Sequence, residues 1–375
     1  MNNLILDNSY KKEIKVLSRL PYRESPFSSR NWGHTRHSLC SYTSKIKPAI
    51  AYYLVSLFSK PKETILDPFS GVGTIPFEAC LNNRKGIGID LSPLAFHVTN
   101  AKVHNINQRQ VYDEIKKLKQ KIENGKKEDM DCEAKSFYHP STYKEILIAR
   151  DCFLNSEINP EKSFIISCIM HILHGNRPYA LSRRSHNLIP IPPKGDFVYK
   201  SLIKSLTEKV NRMLKHKLSE QFIEGEAYNN DALEMPLEKN SIDTIITSPP
   251  FLGTTEFLRQ NRIRLWFCGW DEKEIKKLKQ KSTFFDFNGL SLYPTFFNEV
   301  YRVLKPEGII VLHLGIYKKE NMAESIMPIA EDNNFGLLGL VNEDSTHIET
   351  HGRTDKGGTH THQFLILQKL GGENV

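Results

Sequence analysis

The chain contains 375 residues, and its 51 lysines and arginines against 43 aspartates and glutamates give a formal net charge of +8. Hydrophobic residues make up 39% and charged residues 25%, which is typical of a globular protein and excludes a disordered chain. No run reaches the roughly 18 apolar residues of a membrane helix, and the polar N-terminus lacks a secretory signal. The 6 cysteines form no Cys-x-x-Cys pair, so we expect neither a zinc ribbon nor a disulfide framework, and a cytoplasmic protein.

The N-terminal part of the chain predicts the opening of a parallel α/β sheet. A buried helix is expected over residues 46–58, followed by a short apolar strand that ends at Asp67. The strand is followed by a turn with two glycines, a helix that ends at Leu81 and a second strand over 86–89. Strand, turn, helix and strand in this order are typical of a doubly wound sheet.

The middle of the chain interrupts this pattern. Residues 105–217 are basic and show helical periodicity, with a loop rich in proline and arginine at 174–195. The α/β pattern then resumes, with strands predicted at 222–228, 241–247, 309–314, 335–341 and 363–368. We therefore predict three parts: 1–104, the N-terminal segment and first half of the α/β domain; 105–217, a helical basic insertion; and 218–375, the second half.

The segment DPFSGVGT, residues 67–74, lies where the first strand turns into a helix. Gly71 and Gly73 would let the backbone approach a ligand closely and would present amides at the helix N-terminus, which Thr74 is expected to cap. Asp90, at the end of the second strand, suits hydrogen bonds to ribose hydroxyls. Together these features favour a site for an adenosine-containing cofactor over a simple tight turn.

The spacing favours one such cofactor. A dinucleotide is disfavoured because Pro76 stands where Gly-x-Gly-x-x-Gly would have its third glycine, and the chain has no Walker Gly-Lys-Ser/Thr. Asp67 would repel a phosphate but would accept an ammonium group. S-adenosyl-L-methionine carries an ammonium group and no phosphate, so it is the predicted cofactor.

The segment TSPPF, residues 247–251, ends another buried strand. Parallel sheets hold their ligands at this edge, and two prolines stiffen the backbone and remove two N–H groups. Nearby carbonyls and Ser248 could then accept hydrogen bonds from an amino group, while Phe251 offers a face on which a base could stack. This arrangement suits methylation of an exocyclic amine by positioning and electrostatics.

These motifs resemble those of the amino-methylating DNA methyltransferases, which act on cytosine-N4 or adenine-N6. The resemblance covers most of residues 37–104 and 222–316. It implies a class I S-adenosylmethionine methyltransferase-like fold, which is a doubly wound, mostly parallel sheet, here with a helical insertion. It also implies that the segment containing Tyr42 and Lys45 lies against the methionine end of the cofactor and that Asp231 contacts the adenine amino group. The predicted cofactor residues are Tyr42, Lys45, Asp67, Phe69, Gly71, Gly73, Thr74, Asp90 and Asp231.

Within this family the motif favours cytosine-N4. Ser248 before Pro-Pro, and Phe251 rather than tyrosine after it, are similar to the cytosine-N4 pattern, whereas adenine-N6 enzymes more often carry an acid or amide at the first position. Carbon-5 methylation is excluded because it uses a cysteine after a proline, and the chain has no Pro-Cys pair. One feature departs from the family: many cytosine-N4 enzymes place Ser-Pro-Pro before the glycine turn, and here the glycine turn comes first.

The basic loop is the predicted DNA contact. Arginines suit phosphates and guanine edges, and the alternative is a solvated basic loop. The predicted DNA-binding residues are Arg177, Tyr179, Arg183 and Arg184, with His186 beside them. The target base would have to leave the duplex stack. His360 and His362 lack partner acids at ligand spacing, so no metal site is predicted.

The sequence therefore predicts a site-specific methyltransferase that moves a methyl group from S-adenosyl-L-methionine to cytosine-N4 in duplex DNA, as the modification enzyme of a restriction–modification system. Its catalytic residues would be Ser248, Pro249, Pro250 and Phe251. The alternatives are adenine-N6 in DNA, a guanine amino group in RNA, or a DNA-binding protein without activity. No nuclease motif is recognised, so an endonuclease partner would be a separate chain.

Overall fold

A computed structural model describes most of the chain. It describes residues 9–29, 31–42, 45–125, 132–175, 179–183, 195–250, 257–280, 289–317, 320–344 and 359–371. The predicted catalytic Phe251, the predicted DNA contacts Arg177 and Arg184, and His186 lie outside these ranges.

A mixed, mostly parallel sheet forms the centre of the described structure. Its strands are β1 Thr64–Asp67, β2 Lys85–Ile89, β3 Glu226–Tyr228, β4 Ile242–Thr247, β5 Leu304–Tyr317, β6 Phe335–Asp344 and β7 Thr359–Lys369. They lie in the order β3-β2-β1-β4-β5-β7-β6, and a two-residue strand, Glu320–Asn321, pairs with β5 off this path. β7 is antiparallel to both β5 and β6, whereas the pairs among the first five strands are parallel. This strand order confirms the predicted class I methyltransferase-like fold.

Helices cover the sheet and form the region between β2 and β3. They are α1 Lys11–Leu17, α2 Pro48–Phe58, α3 Thr74–Leu81, α4 Pro93–Val103, α5 Gln108–Asn124, α6 Pro140–Leu154, α7 Pro160–Leu173, α8 Leu202–Leu214, α9 Phe257–Phe267, α10 Glu272–Gln280, α11 Tyr293–Val303 and α12 Met322–Asp332. Helices α5 to α8 fall inside the predicted insertion. In α5 the buried residues Val111, Ile115 and Leu118 recur at helical spacing, so its lysines face outward.

The buried apolar residues form three clusters. One face of the sheet packs against α11 and α12, and the other packs against α1, α2 and α3. The third cluster joins α4 to α5, α6, α7, α8 and α9. The insertion therefore shares a hydrophobic core with α4, a helix that packs on β2 and β3, so its position is coupled to the sheet.

Several predicted strands have other bounds in the structure. The strand predicted at 309–314 extends over Leu304–Tyr317, and the strand predicted at 335–341 ends at Asp344. The strand expected over 222–228 is paired only over Glu226–Tyr228, and closing strand β7 begins at Thr359, earlier than the predicted residue 363. In β7 the polar residues 359–362, which precede the predicted strand, also pair with β5, because backbone hydrogen bonding does not require apolar side chains. Within the described part of the chain, no helix combines the length and the apolar character that crossing a bilayer requires.

Candidate active site

The glycine turn joins β1 to α3 in a conformation that favours glycine. Gly71 has φ of 50° and Gly73 has φ of 62°, values that L side chains rarely adopt. A Cβ on Gly73 would lie 2.7 Å from Thr99 Oγ1 and 2.9 Å from Thr99 Cα. Gly73, not Thr74, is the N-cap of α3, and no side chain caps this helix end. The expectation that Thr74 caps the helix was wrong, because the chain is already helical there and the Thr74 side chain is buried.

Asp90 links the end of β2 to this turn. Its Oδ2 accepts a 2.8 Å hydrogen bond from the Gly71 N–H, and its Oδ1 accepts a 2.9 Å bond from the Ser92 N–H. Burial raises the pKa of Asp90 to about 6, although these two hydrogen bonds oppose the shift. The predicted ribose acceptor therefore also holds the glycine turn, and its remaining lone pairs are available to a ligand.

Asp67 links the end of β1 to the end of β4. Its Oδ1 accepts hydrogen bonds of 2.6 Å from the Thr247 hydroxyl and 3.2 Å from the Phe69 N–H. Burial raises the pKa of Asp67 to about 7, and both hydrogen bonds oppose the shift. Thr247 directly precedes Ser248, so the acid of the glycine turn is joined to the strand that carries Ser-Pro-Pro.

The remaining predicted cofactor residues make contacts of their own. The Tyr42 ring lies 3.5 Å from where a Cβ on Gly71 would stand, and the Lys45 Nζ donates to the His37 carbonyl oxygen at 3.0 Å. The Phe69 ring packs against Phe296, with ring centroids 5.2 Å apart. Asp231 Oδ1 accepts a 3.0 Å hydrogen bond from the Leu233 N–H. Their cofactor roles stay predictions.

Two residues of α4 that were not predicted from the sequence bond to the backbone of the glycine turn. Thr99 Oγ1 donates to the Gly71 carbonyl oxygen at 3.3 Å, and the fully buried Lys102 donates to the Val72 carbonyl oxygen at 2.6 Å. Burial lowers the pKa of the Lys102 ammonium well below its usual value. The sequence feature that could have indicated these residues is a lysine on the apolar face of a helix, one turn after a threonine.

A buried histidine–glutamate pair lies under the same turn. His37 Nε2 and Glu78 Oε1 are 2.6 Å apart. Burial lowers the pKa of His37 well below its usual value and raises the pKa of Glu78 to about 8. Both groups therefore favour their neutral forms. Together with Lys102 they form a buried polar cluster beside the glycine turn.

The Ser-Pro-Pro segment follows β4 at the same sheet edge as Asp67 and Asp90. Ser248 is partly buried, and its Oγ lies 3.2 Å from Nδ1 of His313 on β5. His313 was not identified from the sequence, although a histidine inside the apolar run IIVLHL was a visible exception. Because β1, β2 and β4 are parallel, their carboxyl ends bring the two acids and Ser248 to one edge, at the point where the strand order reverses.

The described residues of the basic loop are engaged within the insertion. The Tyr179 hydroxyl and His171 Nε2 are 3.0 Å apart, and the Arg212 guanidinium lies over the Tyr179 ring. Arg183 donates to the carbonyl oxygens of Gly195 and Ser136 and stacks over Phe197, 3.8 Å from the ring centroid. Tyr179 thus packs against α7 and α8, and Arg183 contacts the residues to which it donates and on which it stacks.

Within the described ranges, no group of three or more His, Cys, Asp or Glu is placed to hold a metal ion. His362 lies on β7, and its ring stacks on His313.

Comparison with known proteins matches residues 7–101 to an N6/N4-type family described as DNA methylase. The matched segment contains the glycine turn and Asp90 and ends before the Ser-Pro-Pro segment. The Type II methyltransferase M.BsoBI of Geobacillus stearothermophilus is 24% identical over 286 residues, which is 67% of this chain and 56% of that protein. The Type II methyltransferase M.MthZI of Methanothermobacter thermautotrophicus is 28% identical over 129 residues, 30% of this chain and 36% of that protein.

The chain thus spans little more than half the length of the first of these relatives. Among solved structures, a SAM-dependent methyltransferase from Methanosarcina mazei aligns with 84% of this chain and 97% of its own, at 11% identity and a TM-score of 0.34. The strand order itself, rather than this likeness, defines the fold. The family match and the two relatives confirm the predicted resemblance to the amino-methylating DNA methyltransferases.

Proposed function

We propose that this protein is an S-adenosyl-L-methionine-dependent DNA methyltransferase that methylates cytosine at N4. The observation that carries the proposal is the Asp67–Thr247 hydrogen bond of 2.6 Å, which joins the glycine turn to the strand ending in Ser-Pro-Pro. The proposed cofactor site and the proposed amine site would therefore share one sheet edge, as methyl transfer between two bound molecules requires.

The cofactor would lie over the glycine turn. Asp90 would accept hydrogen bonds from the ribose hydroxyls, and Asp67 would face the ammonium group. Tyr42 and Lys45 would lie near the methionine end, while Phe69 and Asp231 would lie near the adenine. The DNA methylase match over residues 7–101 supports this assignment, because that segment contains the turn and its two acids.

The target amine would lie against Ser248, Pro249 and Pro250, with Phe251 stacked on the base. Ser248 Oγ and the nearby carbonyl oxygens would accept the amino protons and direct the nitrogen lone pair at the methyl group. In the reaction the methyl carbon leaves the cofactor sulfur, which keeps the electron pair, and bonds to the amine nitrogen, which releases one proton. Serine before Pro-Pro and phenylalanine after it support cytosine-N4 over adenine-N6.

The nucleic-acid partner would be duplex DNA with the target base turned out of the stack. The insertion would contact the DNA through its basic loop, with Arg177, Tyr179, Arg183 and Arg184 as the predicted contacts. Contacts of this kind predict that the affinity for DNA falls steeply as the salt concentration rises. Since both relatives are Type II methyltransferases, the protein would serve as the modification enzyme of a restriction–modification system, with an endonuclease as a separate chain.

Nucleoside mass spectrometry of DNA and RNA from expressing cells, together with a DNA-binding assay on the purified protein, tests the proposal. N4-methylcytosine should appear with the wild type and should fall by about 100-fold or more with Ser248→Ala and with Asp67→Ala. Ser241→Ala is the matched control, because Ser241 precedes the opposite end of the same strand. N6-methyladenine without N4-methylcytosine would reject the base assignment and leave the fold unaffected. A methylated guanine amine in RNA would reject DNA as the substrate. DNA binding without methyl transfer would reject the assignment of enzymatic activity.

A further inference from the structure

The pairing register of the sheet brings a histidine to the candidate amine site. Thr247 on β4 is the register partner of Leu312 on β5, so the next residues along these parallel strands, Ser248 and His313, stand side by side. Their Oγ and Nδ1 atoms are 3.2 Å apart. The His313 ring is 8% exposed, so little bulk water competes for this contact.

Two side chains on β7 hold the His313 ring in place. His313 is the register partner of Phe364 on β7, and His362 lies two residues before Phe364, on the same face of that strand. The His313 ring stacks on Phe364 at 5.1 Å and 30° and on His362 at 5.0 Å and 21°. Because a stack on both neighbours restricts rotation of the ring, its Nδ1 remains directed at Ser248.

We propose that His313 is a positioning residue that accepts the hydroxyl proton of Ser248 at Nδ1 and thereby leaves the Ser248 lone pairs for the amino group of the target base. This inference rests on the proposed function. An exocyclic amine presents only N–H donors toward the site, so Ser248 must act there as an acceptor. With its own proton bonded to His313, the hydroxyl has no proton to direct at the amine.

The arrangement also sets the tautomer of the histidine. When Nδ1 accepts a hydrogen bond, the neutral ring carries its proton on Nε2. The opposite tautomer would donate from Nδ1 to Ser248 and would free the serine proton to point at the incoming amine. The two tautomers therefore predict opposite roles for Ser248 toward the base, and the distinction is measurable.

A double-mutant cycle on the full-length protein tests the proposal through methyl transfer. His313→Ala should lower kcat by about 10- to 100-fold, as loss of alignment does, with the KM for DNA and the Kd for S-adenosyl-L-methionine unchanged. His313→Asn, whose amide oxygen can replace Nδ1 as an acceptor, should recover much of kcat. In a Ser248→Ala background, His313→Ala should change kcat by less than about twofold, since residues that act as one unit are not additive.

His216→Asn is the matched control, because His216 is an exposed histidine after α8, and it should keep wild-type kcat. Equal loss from His313→Ala in both backgrounds, or failure of Asn to recover activity beyond Ala, would overturn the positioning role. Unchanged kcat in His313→Ala would do the same.

Nitrogen-15 NMR of the histidine-labelled protein gives a readout that does not depend on activity. The expected spectrum shows neutral His313 with its proton on Nε2, and a shift of the unprotonated Nδ1 signal in Ser248→Ala. A proton on Nδ1 would overturn the inference. If the wild type transfers no methyl group to DNA or RNA, the proposed function fails, and this spectrum still decides whether His313 accepts from Ser248.

Discussion

The Nζ of Lys102 donates a 2.6 Å hydrogen bond to the carbonyl oxygen of Val72, which lies between the two glycines of the glycine turn. Lys102 is fully buried, and burial lowers the pKa of its ammonium group well below the usual value. Burying an amine is unfavourable unless it is hydrogen-bonded. The bond to Val72 therefore accounts for the position of Lys102 in the core. That contact fixes the backbone of the turn from α4.

Substitution Lys102→Met should therefore weaken cofactor binding. It keeps most of the side-chain volume but leaves the Val72 carbonyl without its donor, which costs about 1–3 kcal/mol in unfolding free energy. We expect a lower midpoint in denaturant and a Kd for S-adenosyl-L-methionine that rises about fivefold or more, measured by urea unfolding and isothermal titration calorimetry. The control is Lys116→Met on the exposed face of α5. Equal affinity in Lys102→Met and wild type would show that the contact does not shape the site.

Substitution Gly73→Ala should destabilise the turn. Its φ of 62° strains an alanine, and the new Cβ would meet the Thr99 backbone Cα at 2.9 Å, so a smaller residue at 99 cannot relieve the contact. We expect the free energy of unfolding to fall by about 1–3 kcal/mol, with loss of cofactor binding. Gly371→Ala, with nothing within 4 Å of its Cβ, should leave both quantities unchanged. A fully stable Gly73→Ala protein would contradict the geometry.

Cofactor affinity should depend on pH through the two acids. The raised pKa values of Asp67, about 7, and Asp90, about 6, mean that the folded protein holds these protons more tightly than the unfolded chain. The contribution of these acids to stability therefore declines as pH rises from near 4 to near 7 and is constant above. Binding an ammonium group and ribose hydroxyls favours the ionised acids, so binding should tighten over the upper part of that window.

Calorimetric titration at constant ionic strength measures this effect. The Kd for S-adenosyl-L-methionine should fall from about pH 5.5 to about pH 7.5 and then level off. Asp90→Asn should bind more weakly at neutral pH and should show a shallower dependence. Affinity in the wild type that is the same at both ends of the range would contradict the role of the acids.

Arg264 on α9 connects the insertion to the N-terminal segment. Its Nε donates to the Met170 carbonyl oxygen at 3.0 Å, and its Nη1 and Nη2 donate to the carbonyl oxygen and hydroxyl of Ser41 at 2.8 and 2.7 Å. Ser41 precedes Tyr42, a predicted cofactor residue. Arg264→Met should lower the free energy of unfolding by about 2 kcal/mol and speed amide exchange around residues 39–42. Arg109→Met, exposed on α5, should change neither, and equal exchange in both variants would reject the connection.

The local patterns of the chain predicted much of the fold. The apolar run before Asp67, the glycine turn and the second acid were sufficient to predict β1, α3 and β2, because backbone preference and hydrophobic periodicity act over a few residues. The helical character of residues 105–217 was predicted for the same reason. The cap at Thr74 was not predicted correctly, since α3 begins at Thr74 itself, one residue earlier than a capping threonine would require.

The sequence by itself determined which motifs are present: two acids at strand ends, a glycine turn and Ser-Pro-Pro, together with the cofactor chemistry that they indicate. Only the tertiary structure decided what stands beside them. Lys102, Thr247 and His313 reach the candidate site through helix packing and strand register, which depend on contacts between segments far apart in the chain. Such contacts leave no short-range pattern. A single polar residue in an apolar run gives the same sequence pattern whether its side chain is solvated, paired or placed beside a reacting group.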